Sequence, residues 1–259
     1  MKDNPQDRRI EDQTATQALQ NQLDAHRRTL IFIGMILALV VALVLFPQEA
    51  LSAIAQGFTD QPLIPFLLLL FGLVTVSLLW SAGQRLDVWL FMWINLRAFQ
   101  SPWLDRFMWL ATQIGNGGLA LLTAALLYLF GYPRLGIEMI LGTTTLWLVV
   151  ELIKSITARA RPYQLLEKTR VVGWPARGRS FPSGHTAQSF FLMSLLAQYF
   201  QLGFIGALGV FLTAVLVGFT RIYIGVHYPR DTLAGAILGS VWGILMILID
   251  PYLMTRFPG

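Results

Sequence analysis

Residues 202–249 read LGFIGALGVFLTAVLVGF, then TRIYIGVHYPRD, then TLAGAILGSVWGILMILI. A helix needs about 20 apolar residues to cross a hydrocarbon core of roughly 30 Å, so the two outer runs predict transmembrane helices. The polar link between them, 220–231, then lies at one membrane face. It gathers Arg221, His227, Arg230 and Asp231, although only 13% of the 259 residues are charged. Ionisable groups so placed read by default as functional.

Working outward, five further runs have the same character: 30–46, 63–82, 107–130, 136–153 and 186–200. The expected fold is all-α, a polytopic membrane bundle of six or seven transmembrane helices plus one in-plane interfacial helix. That helix is assigned to 86–99, where Trp89, Phe91, Met92, Trp93, Leu96 and Phe99 stand among Arg85, Asp87, Asn95 and Arg97; a buried re-entrant piece is the alternative reading. The third run is broken by Gly115-Asn116-Gly117-Gly118, which lipid tolerates only if that face packs on protein. A polar loop rich in Arg, Pro and Gly covers 154–182, and loops of that length are usually functional or disordered. The expected organisation is a flexible charged tail over 1–29, two membrane helices over 30–82, a core over 83–250 and a short tail over 251–259. The first apolar run ends in Phe46-Pro47-Gln48 without a small-residue cleavage site, so it reads as a retained span and not as a signal peptide.

Composition excludes several classes. A soluble domain carries about a quarter charged residues, whereas this chain is 55% hydrophobic with a mean hydropathy of +0.60, so a water-soluble enzyme is ruled out. There is no cysteine, which removes thiolate nucleophiles, disulfides and thiolate metal sites. Three histidines leave little for a multi-histidine centre; no metal and no cofactor are expected. The net charge of +5 and pI near 9.8 would suit nucleic acid, anionic lipid or cytoplasmic loops alike, and the positions of the charges decide. They concentrate at span ends, which argues against nucleic acid.

Three clusters emerge on one face of the seven-span reading. The first is Lys154-x6-Arg161-Pro162, the second Pro182-Ser183-Gly184-His185, the third Thr220-Arg221-x5-His227-x3-Asp231. Lys154, Arg161 and Arg221 would bring three positive charges together, which calls for an anion. Phosphate fits, because Arg offers a planar fork to its oxygens and Lys a point charge. Ser183 and Gly184 precede a helix, so the hydroxyl and the amides of the first turn would face the same anion. Asp231, four residues after His227, is placed to orient one ring nitrogen and leave the other free to attack phosphorus. His185 is the candidate acid for the leaving oxygen and base for water.

These three motifs, in this order, resemble the signatures of the type 2 phosphatidic acid phosphatase family, which includes the vanadium haloperoxidases. The resemblance covers about 84–249 and includes Ser101-Pro102-Trp103-Leu104-Asp105. It implies a metal-independent lipid phosphate phosphatase working through a phosphohistidine. The implied roles are His227 as nucleophile, His185 as general acid, Asp231 as orienting partner, and Lys154, Arg161, Ser183, Gly184 and Arg221 as the phosphate site. Two departures stand out: Thr220 replaces the usual Ser, keeping the hydroxyl, and the motifs follow four candidate spans where membrane members commonly have three. The implied substrates are phosphatidic acid, phosphatidylglycerol phosphate or a polyprenyl diphosphate, in a bacterial inner membrane. A phosphotransferase using the same intermediate and a non-catalytic lipid-binding or transport protein are the competing readings. The sequence does not give the oligomeric state.

The other ionisable residues receive blander readings. Arg159, Lys168, Arg170, Arg177, Arg179 and Arg230 read as solvated or lipid-attracting, and His26 as part of the tail. Glu138 and Glu151 read as interfacial or hydrogen-bonded, with Glu151 placed to support Lys154. Tyr223, Tyr228 and Trp174 are candidates for headgroup contact, although aromatics are enriched at every membrane interface. If all seven runs span, 17 of the 19 basic residues share the face of the clusters, which the positive-inside rule makes cytoplasmic. If 30–46 lies in the interface, the division is 12 against 7 and the rule decides nothing.

Overall fold

The computed structural model describes residues 48–97 and 101–256 continuously, with 30, 33–38, 40–41 and 44 as further helical positions. The expected tail over 1–29 lies outside the described residues, and so does much of the expected first span. Residues 46–259 form one compact unit, separate from the residues before it. In the larger unit the helices are α1 (Gln48–Asp60), α2 (Leu63–Ser77), α3 (Ser81–Arg97), α4 (Pro102–Ala111), α5 (Gly117–Leu129), α6 (Pro133–Thr157), α7 (Pro162–Leu165), α8 (Gly184–Tyr199), α9 (Phe204–Tyr223) and α10 (Pro229–Arg256). No strand occurs among the described residues.

Three stretches are long and apolar enough to cross a membrane alone: Pro133–Leu165, Phe204–Tyr223 and Pro229–Leu253. Two bent pairs, α1 with α2 at 81° and the α4–α5 segment at 58°, raise the number to five if each is one span. The large side chains on the outside are apolar, among them Leu69, Leu122, Phe204, Ile205 and Leu212, as lipid requires. Because lipid is as apolar as leucine, helices in a membrane associate by close packing and not by exclusion of water.

Local chemistry sets the helix ends. Ser101 caps α4, its hydroxyl accepting from the Leu104 amide at 3.2 Å with Pro102 behind it. Asn116 caps α5, its carbonyl oxygen accepting from Gly118 and Leu119; this Asn inside the Gly-rich break is what restarts the helix. A Cβ on Gly115 would lie 2.3 Å from the His185 carbonyl oxygen, so the break does pack on protein. The helices overrun the predicted spans toward the site: α6 extends to Thr157, α9 to Tyr223, and α10 begins at Pro229. The polar link of twelve residues thereby shrinks to 224–228. α10 also continues through Pro251 to Arg256. By contrast α2 stops at Ser77, short of the predicted 82, where the Ser77 carbonyl accepts from Arg230 Nη1 at 2.6 Å.

Helix α3 corresponds to the predicted in-plane helix, but its buried stripe is Asp87, Phe91 and Asn95, while Trp89 and Trp93 face outward. The stripe has the four-residue repeat of one helix face and is polar at both ends. Asn95 donates to the carbonyls of Arg170 (2.9 Å) and Tyr223 (2.8 Å) and accepts from the Arg170 amide. The long loop between α7 and α8 is thereby ordered. Val172 N donates to Ile224 O, and Tyr163 Oη to Ala176 O.

Candidate active site

Lys154 stands in the last turn of α6, where a cation meets the carbonyl end of the helix dipole. Its Nζ lies 2.7 Å from Glu151 Oε1, the support that the sequence offered as one option. Arg161, 3% exposed, precedes α7. Its guanidinium donates to Gly178 O (3.1 Å), Arg177 O (3.0 Å) and Val226 O (3.0 Å), and Nη1 is 3.1 Å from His227 Nε2. Arg221 comes from the last turn of α9, donates to Thr112 Oγ1 at 2.9 Å, and keeps its buried Nε without a partner among the described residues. Buried guanidiniums in such number are costly unless an anion joins them.

Ser183 caps α8, its hydroxyl 2.8 Å from Thr186 Oγ1. A Cβ on Gly184 would lie 3.8 Å from Lys154 Nζ, so the first turn of α8 faces the lysine directly. His185 follows on that turn. The charges of Arg161, Arg221 and Lys154 act on both imidazoles, His185 and His227. The three sequence clusters therefore do meet. Thr220 directs its hydroxyl to Val217 O at 2.6 Å, so its extra methyl group leaves the hydroxyl satisfied.

His227 is buried in the short link before α10. An arginine can only donate, so the Arg161 contact makes Nε2 the acceptor and leaves the ring proton on Nδ1. The nitrogen with the free electron pair thus stands beside a phosphate-binding guanidinium. Burial, together with the charges of Arg161, Arg221 and Lys154, holds this imidazole well below its ordinary value of 6.5, which keeps it neutral.

Asp231 does not simply grip the ring. Its Oδ2 is 3.6 Å from His227 Nδ1, beyond a hydrogen bond. That oxygen accepts from Ser180 Oγ at 2.5 Å and from the Tyr228 amide at 2.8 Å. Ser180 Oγ is in turn 3.5 Å from Nδ1. Ser180 was missed in the sequence because it lies two residues before the second motif, and serine there carries no charge signal.

Several residues read as bland are not. Arg159 is half-buried, with its side chain 9% exposed, and is paired with both Asp87 and Asp231. Arg230 pairs with Asp87 at 3.2 Å, and Arg170 with Asp105 at 2.7 Å. A basic residue near a span end normally snorkels to headgroups; here acidic partners on α3, α4 and α10 hold these three inside. Lys168, Arg177 and Arg179 are exposed, as expected. Tyr223 and Tyr228 are core residues, at 0% and 3% exposure, and are withdrawn as headgroup contacts. Trp174 is exposed.

Beside the site lies a cavity of about 570 Å³ between α5, α6 and α8. Its lining includes Lys154, Gly184 and His185 together with Leu121 and Trp147, both exposed at the outer surface. His227, Arg161 and Arg221 are not among its lining residues.

Comparison with known proteins finds relatives in sequence and in fold. Residues 135–255 match the model of the PAP2 superfamily. The chain is 29% identical over 193 residues to an undecaprenyl-diphosphatase of Sulfolobus acidocaldarius, covering 71% of this chain and 89% of that one. Among solved structures, a transmembrane PAP2 type phosphatidylglycerolphosphate phosphatase from Bacillus subtilis matches with a TM-score of 0.63 at 24% identity, over 73% of this chain and 96% of that one. Aquifex aeolicus LpxE matches with a TM-score of 0.55 at 32% identity, over 62% and 94%.

Proposed function

We propose that this chain, which belongs to the PAP2 superfamily through residues 135–255, is an integral membrane lipid phosphate phosphatase acting on a phosphomonoester or diphosphate of a lipid. The observation that carries the reading is the 3.1 Å approach of Arg161 Nη1 to His227 Nε2 within a site that also holds Lys154 and Arg221. A phosphate held by these cations has its phosphorus next to a neutral nitrogen nucleophile. Nε2 attacks phosphorus, the P–O bond to the lipid breaks, and the departing oxygen takes a proton from His185. The imidazole, still protonated on Nδ1, becomes cationic and is stabilised by the Asp231 carboxylate and Ser180. Water, giving its proton to His185, then attacks phosphorus; the P–N bond breaks and inorganic phosphate leaves. Lys154, Arg161, Arg221, Ser183 and Gly184 hold the phosphoryl oxygens throughout, stabilising the charge that spreads over them.

The lipid chain is assigned to the cavity between α5, α6 and α8, which is lined by Lys154 and His185 as well as by the lipid-facing Trp147 and Leu121. Purified protein is expected to release inorganic phosphate from at least one of phosphatidic acid, phosphatidylglycerol phosphate and a polyprenyl diphosphate, at an undiminished rate in chelator. Complete inhibition by chelator, restored by added metal, would refute the metal-independent mechanism.

The same reading assigns the protein to a bacterial inner membrane with its site toward the cytoplasm; the support is that, if all seven apolar runs span, 17 of the 19 basic residues fall on the side of the site. Since the chain has no cysteine, a single Arg177→Cys reporter in the exposed loop settles the side. It should resist an impermeant thiol reagent in intact cells and react after permeabilisation; labelling of intact cells would place the site outside.

A further inference from the structure

We propose that Asp87 and Arg159 are positioning residues, holding the Asp231 carboxylate in the orientation His227 requires and so tying helix α3 to the nucleophile. The inference rests on the phosphatase reading above. Asp231 is fully buried, and its two oxygens have separate duties. Oδ1 takes Arg159 Nη1 at 2.5 Å. Oδ2 takes Ser180 Oγ and the Tyr228 amide and faces His227 Nδ1. Which oxygen faces the imidazole thus depends on what grips the other one.

Arg159 is itself fixed from three directions. Nη2 donates to the Asp87 carboxylate and to Gln84 Oε1 (2.9 Å), and the guanidinium carbon lies 4.3 Å from the centre of the Tyr228 ring. Asp87, 2% exposed, is anchored by the Arg230 amide at 3.0 Å and Arg230 Nε at 3.2 Å. Two carboxylates and two guanidiniums therefore balance in a buried chain that contributes no phosphate ligand. Arg159 lies between α6 and α7 and reaches the chemistry only through Asp231. A planar, always charged fork is suited to bridging two carboxylates in this way.

The groups that face His227 are Arg161 and Ser180 from the long loop, Lys154 from α6, Arg221 from α9 and Asp231 from α10, with His185 of α8 coupled to it by charge. Loss of Arg159 leaves the Asp231 charge without its counter-ion, so the imidazole protonates at higher pH. The acid limb of kcat/KM therefore moves up.

The test uses full-length protein in detergent and whichever lipid phosphate of the panel above the wild type hydrolyses fastest. Arg159→Gln should lower kcat about 10- to 100-fold, as loss of an outer-shell partner typically does, with KM and inhibition by orthovanadate nearly unchanged. Its acid limb should move to higher pH, and Arg159→Lys should recover part of both effects. Asp87→Asn should show the same pattern more weakly, and it carries the test if Arg159→Gln does not fold. The double variant should be no worse than Arg159→Gln alone. An unmoved pH profile, a loss confined to KM, or equal losses in Arg159→Lys and Arg159→Gln would overturn the proposal. A wild type that releases phosphate from none of the lipids would remove the phosphatase reading itself, whereas active wild type with unaffected variants removes this inference alone.

Discussion

His227→Ala should abolish phosphate release while leaving binding of inorganic phosphate nearly intact. The reason is a division of labour. The anion is held by Lys154, Arg161, Arg221 and the first turn of α8, and Nε2 supplies the electron pair. Removing a covalent nucleophile costs about four orders of magnitude or more in comparable systems, which here means turnover at background. Phosphate trapped during turnover by a rapid quench in alkaline denaturant, in which a P–N bond survives, should be found on the wild-type protein, and none on the variant. Full turnover by His227→Ala would refute the assignment of the nucleophile.

The wild-type pH profile provides a second reading of the same residue. Burial and the neighbouring cations hold the His227 imidazole well below 6.5, so the nucleophile stays unprotonated as pH falls past that value. The acid limb of kcat/KM attributable to His227 should therefore lie below pH 6.5. A bound phosphate dianion offsets the three cations and favours the imidazolium, so the limb in kcat should lie at higher pH than the limb in kcat/KM. The sign also holds for stability. Between the folded value and about 6.5 the unfolded chain binds the extra proton, so stability is lost as pH falls through that window.

The motif residues were legible in the sequence because each cluster concentrates charge at the end of an apolar run, where lipid makes charge expensive. Lys154, Arg161, His185, Arg221, His227 and Asp231 all announced themselves in that way. Arg159 did not, since an isolated arginine two residues before a motif arginine looks like a snorkelling side chain. Its role depends on Asp87, 72 residues away, and pairing over that separation leaves no local pattern. The buried face of helix α3 was hidden for the same reason. Trp89 and Trp93 face outward, but the buried stripe of Asp87, Phe91 and Asn95 is polar at both ends, and its partners lie far away in the chain.

Replacing Gly239 with leucine should lower both stability and turnover, although residue 239 touches none of the reacting groups. Gly235, Gly239 and Gly243 repeat every four residues along α10, and all three meet α8. A Cβ at these positions would stand 2.5 Å from Ser183 O, 2.1 Å from Ala187 O and 2.3 Å from Ser194 Cβ respectively. Two of those obstacles are backbone carbonyls, which cannot swing aside as a side-chain tip can. Small residues at this spacing are how membrane helices approach closely without a hydrophobic driving force. The sequence carried the signal as Gly-x3-Gly-x3-Gly within an apolar run, but such a pattern names no partner helix. Its consequence for chemistry lies in what the two helices deliver: α8 begins with Ser183 and His185, and α10 begins beside His227 with Asp231. The Ser183 amide donates to the Asp231 carbonyl at 2.9 Å, so the two helix starts are joined where the acid meets the nucleophile. Overpacking of a tight core costs about 1–3 kcal/mol, occasionally more; leucine at 239 has to separate the helices, not merely crowd them. The expected result is a lower unfolding temperature in detergent together with a loss of kcat of at least about tenfold, one decade corresponding to roughly 1.4 kcal/mol. Gly239→Ala should give a smaller effect of the same kind. Gly209→Leu, on α9 with nothing within 4 Å of an added Cβ, should leave both quantities near wild type. Equal behaviour of the Gly239→Leu and Gly209→Leu proteins would show that close contact between α8 and α10 does not hold the site together.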